Sequence, residues 1–146
     1  IAVALRKRAL TLLSGDIDLS GEWTITNSEE SCDGEPEKLK WIHKASINHF
    51  RRRLKGSATS TIHVNSKVKS VDFSFHGSFY NGMADIVFTE KSKTMIKRSI
   101  FLLRFDENDC SLRGYRVYLG RQENMIKAIP CSWTLDGYEG CSSRPF

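Results

Sequence analysis

The chain has 146 residues and a mass of 16.6 kDa, the size of one domain. With 40% hydrophobic and 27% charged residues it falls outside the disordered class, and no apolar run is long enough to cross a bilayer as a helix. Lysine and arginine number 22 against 17 acids, which gives a net charge of +5. Such an excess fits an anionic partner but also ordinary solubility.

The charge is unevenly spread. Glu29, Glu30, Asp33, Glu35 and Glu37 fall in one stretch without a base, and removing those five charges raises the rest of the chain from +5 to +10. That stretch reads as a solvated loop on a basic domain. The chain begins at Ile1 rather than Met, as expected of a piece of something longer. Cys32, Cys110, Cys131 and Cys141 form no Cys-x-x-Cys pair, so a structural zinc site is not signalled, and in a chain able to build its own core they are expected to be reduced.

Residues 1–13 (IAVALRKRALTLL) are rich in Ala and Leu and free of Gly and Pro, which predicts a helix. It suits either a short amphipathic helix packed on the domain or the cytoplasmic end of a membrane helix, since basic residues collect on that side. Gly15 is placed to cap it. From Gly21 the pattern changes to strands. Trp23 and Ile25 alternate with Thr24 and Thr26. Leu39, Trp41, Ala45 and Ile47 share one parity, and Leu54, Ala58, Ile62 and Val64 another beyond the basic turn Arg51-Arg52-Arg53. Val71, Phe73 and Phe75 continue the alternation. Asn81-Gly82 predicts a tight hairpin turn into the strand 83–89. The run 96–105 is apolar at both parities, which predicts a strand covered on both sides. Strands 112–119 and 125–135 follow, separated by a turn over 120–124, and the tail 136–146 reads as frayed.

About eight strands joined by short turns must deal with their edges, and closing into a barrel removes them. The expected fold is therefore all-β: a small antiparallel up-and-down barrel with a short N-terminal helix, with a β-sandwich as the competing architecture. The expected divisions are a stub or linker over 1–14, a barrel over 15–135 and a flexible tail over 136–146.

Common enzyme signatures are missing: there is no Gly-x-Ser-x-Gly, His-Glu-x-x-His, phosphate-binding loop or dinucleotide-binding glycine pattern. The four histidines, His43, His49, His63 and His76, stand apart from one another at no metal-ligand spacing and read as packing or solvent-facing groups. No enzyme activity and no metal or cofactor is expected. Ser20-Gly21-Glu22-Trp23 opens the first strand as small ligand barrels often do, with the Trp plugging one end. Basic and aromatic residues interleave in Arg113, Tyr115, Arg116, Tyr118 and Arg121, with Arg98 and Arg104 on the strand before. Arginine forks bind phosphate bidentately and tyrosine rings stack on bases, so this pattern suits a nucleotide, or else it coats a solvated exterior. The Arg51-Arg52-Arg53 turn could meet phosphate, lipid headgroups or nucleic acid, or simply water. Long nucleic acid is not expected, because no continuous basic stripe or RNA-binding consensus is present.

The apolar stub with its basic end, Leu19-Ser20-Gly21-Glu22-Trp23, the central Phe75-His76-Gly77-Ser78-Phe79, and Leu112-Arg113-Gly114-Tyr115 ahead of Arg121 and Asn124 resemble a known family. It is the two-transmembrane, β-strand-rich effectors of bacterial cyclic-oligonucleotide antiphage systems of the CBASS type. The resemblance covers residues 15–135 through short motifs, and the family's membrane helices are absent from this sequence. It implies a lipocalin-like barrel on the cytoplasmic side of the inner membrane. It also implies a cyclic dinucleotide as signalling ligand, self-association on binding, and membrane disruption by segments outside this chain. The candidate ligand-binding residues are Arg98, Arg104, Arg116, Tyr118 and Arg121, with Tyr80 and Asn124 behind them. The alternatives are a lipocalin-like carrier of a small apolar ligand and a packed interaction module without a ligand.

Overall fold

The computed structural model describes residues 17–27, 41–90, 98–120 and 125–137. Eight strands follow in chain order: β1 (Gly21–Asn27), β2 (Trp41–Phe50), β3 (Arg53–Val64), β4 (Lys67–Tyr80), β5 (Met83–Glu90), β6 (Arg98–Asp106), β7 (Ser111–Gly120) and β8 (Met125–Leu135). Each pairs antiparallel with the next, and β8 returns to β1 with Ile25 opposite Trp133, so the sheet closes into a barrel. The fold is the expected all-β up-and-down barrel and not a sandwich. The expected N-terminal helix and the acidic stretch lie outside the described residues.

Closure turns the period-two alternation into inside and outside. Trp23, Ile25, Ala45, Ile47, Leu54, Phe75, Phe79, Ile86, Phe88, Phe101, Leu103, Leu112 and Trp133 fill the interior. On β7 the even positions face in, so Leu112, Gly114, Arg116 and Tyr118 share the lumen side while Arg113 and Tyr115 are exposed. The tight spots are occupied by glycine. At Gly56 a Cβ would collide with the Ser46 carbonyl oxygen and with the edge of the Phe75 ring.

One end of the barrel is sealed. Leu19 is 1% exposed, and its carbonyl accepts a 2.8 Å hydrogen bond from the Trp23 indole N–H, so the segment before β1 lies over the core rather than away from it. Four aromatic rings interlock behind it, with Trp133 set edge-on to Phe75, Phe88 and Phe101 at 5.2–6.2 Å.

Three expectations are corrected. Cys110 is disulfide-bonded, its partner lying outside the described residues, so the cysteines are not all reduced; Cys131 is free and buried. Asp136 does not fray. Its N–H donates to the Glu22 carbonyl at 2.8 Å, and its carboxylate accepts from Thr24 Oγ1 and, at 2.9 Å, from Lys44 Nζ. Burial disfavours its charge, but these two partners outweigh that and hold its pKa below the ordinary value. Finally, β6 is apolar on both faces but not covered on both: Ile100 and Leu102 are 42% and 50% exposed.

Leu103 is fully buried, so Leu103→Ala is expected to lower unfolding stability by about 2–5 kcal/mol in urea titration. Burial pushes the Cys131 thiol up to about 12 despite the opposing pull of Arg116, so the native protein should leave it unmodified by iodoacetamide at pH 8, whereas the unfolded chain should react.

Candidate functional site

Among the described residues, the other end of the barrel carries no plug like Leu19. The β1 C-terminus, β2 N-terminus, β3 C-terminus, β4 N-terminus, β5 C-terminus, β6 N-terminus and β7 C-terminus meet there. They frame a cavity of about 250 Å³ lined by Trp41, His43, Ser60, Val71, Phe73, Glu90, Arg98, Ser99 and Arg116. A narrow recess of about 20 Å³ continues inward past Asn27 to Ala58, Phe88 and Phe101. The floor is therefore the aromatic core itself.

Strand register places each group. His43 of β2 stands directly opposite Ser60 of β3, and its Nδ1 lies 2.6 Å from the Ser60 Oγ. Two residues earlier on the same face, Trp41 stacks on the His43 ring with 8° between planes and 6.3 Å between centroids. Phe73 follows on β4, tilted against Phe88 at 5.7 Å. Across the lumen, Arg116 projects inward from β7, and its guanidinium lies 5.0 Å from the Tyr118 ring centroid on the same face. Arg98, the first residue of β6, is exposed at the rim, beside Glu90 at the end of β5. The walls thus offer two guanidiniums, a carboxylate, an imidazole, two hydroxyls and two aromatic faces in one partly enclosed space. Such a set can hold an anion next to a planar ring.

The seven sequence-derived candidates separate. Arg98, on the outward parity of β6 at the rim, and Arg116, inward on β7, both border the cavity, and Tyr118 adjoins it through its ring beside the Arg116 guanidinium. Arg104 does not: it faces outward near the sealed end, opposite Met83 on one side and Arg113 on the other. Tyr80 is also at the sealed end, 60% exposed, with Arg52 over its ring. Strand direction, which adjacency in sequence does not report, accounts for both displacements. Arg121 and Asn124 lie outside the described residues.

Trp41, His43, Ser60, Phe73, Glu90 and Ser99 were not among those candidates. The signal for three of them was present: His43 lies on the parity of Trp41 and Ala45, Ser60 on that of Ala58 and Ile62, and Ser99 on that of Phe101 and Leu103. A polar residue on an apolar parity of a barrel strand marks a lumen position that is not fully packed. Among the described residues no group of three or more His, Cys, Asp or Glu side chains could hold a metal ion.

Ser60→Ala removes one hydrogen bond from His43 and should cost about 1 kcal/mol. It should also loosen the Trp41–His43 stack, read as lower fluorescence anisotropy of Trp41 in a background where Trp23 and Trp133 stay buried. No protein-family model, curated protein or solved structure matches this chain.

Proposed function

We propose that this barrel senses a small anionic ligand carrying a planar ring, of the cyclic dinucleotide class, at its open mouth. The observation that carries the reading is the convergence of Arg98 and Arg116 on a cavity whose other wall is Trp41, His43 and Phe73. Guanidinium forks bind phosphate oxygens, and aromatic faces take a base at about 1–3 kcal/mol per stacked ring. The cavity, about 250 Å³, falls below the roughly 300–1,000 Å³ of pockets that enclose drug-sized ligands. One base and its phosphate would enter, and the second half of the ligand would rest at the mouth.

On this reading the domain belongs to a membrane-associated antiphage effector, placed on the cytoplasmic side of the inner membrane, and ligand binding leads to self-association and membrane disruption through segments outside this chain. Among the described residues no helix is long and apolar enough to cross a membrane. One observation favours a second reading, a lipocalin-like carrier: the Cys110 disulfide suits an oxidising compartment better than the cytoplasm. Against it stands the lining, which sets the ionisable side chains of Glu90, Arg98 and Arg116 among the aromatic ones instead of an all-apolar wall.

A thermal-shift screen against cyclic di- and oligonucleotides, with fatty acid and haem as controls, separates the two. Ligand at a hundredfold excess over Kd stabilises by about 2.7 kcal/mol, several degrees in a domain of this size. The sensor reading expects a rise confined to one or two nucleotides, quenching of Trp41, and at least tenfold weaker binding in Arg116→Ala. A rise with fatty acid alone supports the carrier, and no shift with any nucleotide rejects the sensor.

A further inference from the structure

We propose that the β2–β3 and β4–β5 turns at the sealed end of the barrel are a docking surface for a lipid bilayer bearing anionic headgroups. The proposal is independent of what the mouth binds. Two neighbouring hairpin turns form this surface. Residues 50–53 join β2 to β3 and residues 80–83 join β4 to β5; Phe50, Tyr80 and Met83 are 71%, 60% and 52% exposed at their tips. Arg51, Arg52, Arg53 and Lys55 are all exposed around Phe50, and Arg104 stands opposite Met83. Neither stretch, 49–56 or 79–84, contains an acid; the third turn at this end, between β6 and β7, carries Asp106, Glu107 and Asp109, of which Asp109 pairs with Arg113 and Asp106 accepts the Asn108 N–H. The nearest carboxylate in sequence to the second turn, Asp85, is engaged by the N–H and hydroxyl of Ser78.

Backbone hydrogen bonds brace the two turns. The Phe79 N–H donates to the Arg52 carbonyl, and the Phe105 N–H to the Gly82 carbonyl, both at 2.8 Å, which ties the two turns to each other and to the end of β6. Backbone conformation gives a second, independent sign. The two turns use the left-handed region at the same place, Asn81 at φ 54° and Arg51 at φ 57°. Asn followed by Gly is the low-strain solution. Arginine is an uncommon occupant of that region. It is held there because the Leu19 N–H donates to His49 Nδ1, which leaves the ring's Nε2–H to donate to the Arg51 carbonyl at 2.6 Å. Strain maintained by the surroundings at an exposed cation points to a use for that cation.

The chemistry favours lipid over nucleic acid. Arg51 lies over the Phe50 ring at 5.5 Å and Arg52 over the Tyr80 ring at 4.0 Å, so each aromatic has a face already covered by its own arginine and is a poor platform for a base. Ring edges and the Met83 thioether remain outward, beside guanidiniums that match headgroup phosphates. That combination of amphipathic aromatics and basic residues is what the membrane–water interface accommodates.

The test is co-sedimentation of the full chain with phosphatidylcholine vesicles, with and without phosphatidylserine. Binding is expected only with phosphatidylserine and should fall with added salt. Each arginine near a charged bilayer contributes about a fivefold factor, so Arg52→Ser with Arg53→Ser should weaken binding roughly 25-fold. Phe50→Ser should weaken it as well. Arg51→Gly should weaken it about fivefold while Tm holds or rises, since glycine relaxes the left-handed position; a merely structural role would move Tm and spare binding. Equal binding by wild type and variants would place the contact elsewhere in the chain and overturn the proposal. So would indifference to phosphatidylserine, or retention of a single-stranded RNA that vesicles fail to displace and the same substitutions release.

Discussion

The pairing of β1 with β8 is the constraint on which the rest of this molecule depends. An antiparallel meander of eight strands has two raw edges, and each would expose a row of unpaired N–H and C=O groups. Setting Trp23 to Asn27 against Leu135 to Cys131 removes both edges at once. It also fixes the meaning of every alternation in the sequence, because after closure one parity has no access to bulk water except through the ends. The latch at Asp136 reinforces the seam from outside, with Thr24 on β1 and Lys44 on β2 converging on a residue just past β8. Exposed partners of this kind contribute little energy, about 1 kcal/mol or less each, and the ladder itself carries the closure.

Once the interior is defined, its two halves must differ. Eight strands leave a lumen that side chains nearly fill. Near the sealed end large rings and branched residues do fill it, from Leu19 and Trp23 through Leu54, Phe79 and Leu112 to Trp133. Between Leu54 and Ile62 the inward positions of β3 include Ala58 and Ser60, and β6 presents Ser99 near its start. Small residues there, opposite Phe73 and Phe88, leave the space that the cavity occupies. Glu90 and Arg116, the carboxylate and guanidinium of the lumen wall, lie in that same half. A charge deep in the aromatic half would have no solvent to offset its burial, whereas Arg116 and Glu90 lie where the mouth still admits water.

The fold was legible in the sequence because alternation is a local signal, and each strand announces its own two faces. Asn81-Gly82 and the acid-rich turn after β6 marked their connections for the same reason. The site was only partly legible. Arg116 and Tyr118 could be paired on one face of β7 from spacing alone, but nothing local says which face of a strand is inward when each carries one Arg and one Tyr; that depends on Leu112 meeting Trp133 across the closed sheet. Arg104 was misplaced because six residues along β6 carry the chain from the mouth almost to the sealed end. His43 and Ser60 are 17 residues apart and were read separately; register, not sequence distance, makes them neighbours.

The ends of this barrel are therefore chemically distinct and mechanically joined. The mouth presents cations beside aromatic side chains, and the sealed end presents cations folded over aromatic faces on two turns and the acid-rich turn on a third. Between them runs a continuous ladder of backbone hydrogen bonds around a packed core, and such an interior resists graded deformation. A ligand seated against Trp41 and Arg116 has no bistable element in the described barrel wall through which to move the turns at Arg51 and Asn81. On the proposed reading, the consequence of binding is expressed at the mouth itself, through whatever part of the ligand remains outside. On the proposed readings the sealed end is suited to a constant role, holding the barrel in one orientation with its mouth away from the surface that the Arg51–Arg53 turn meets.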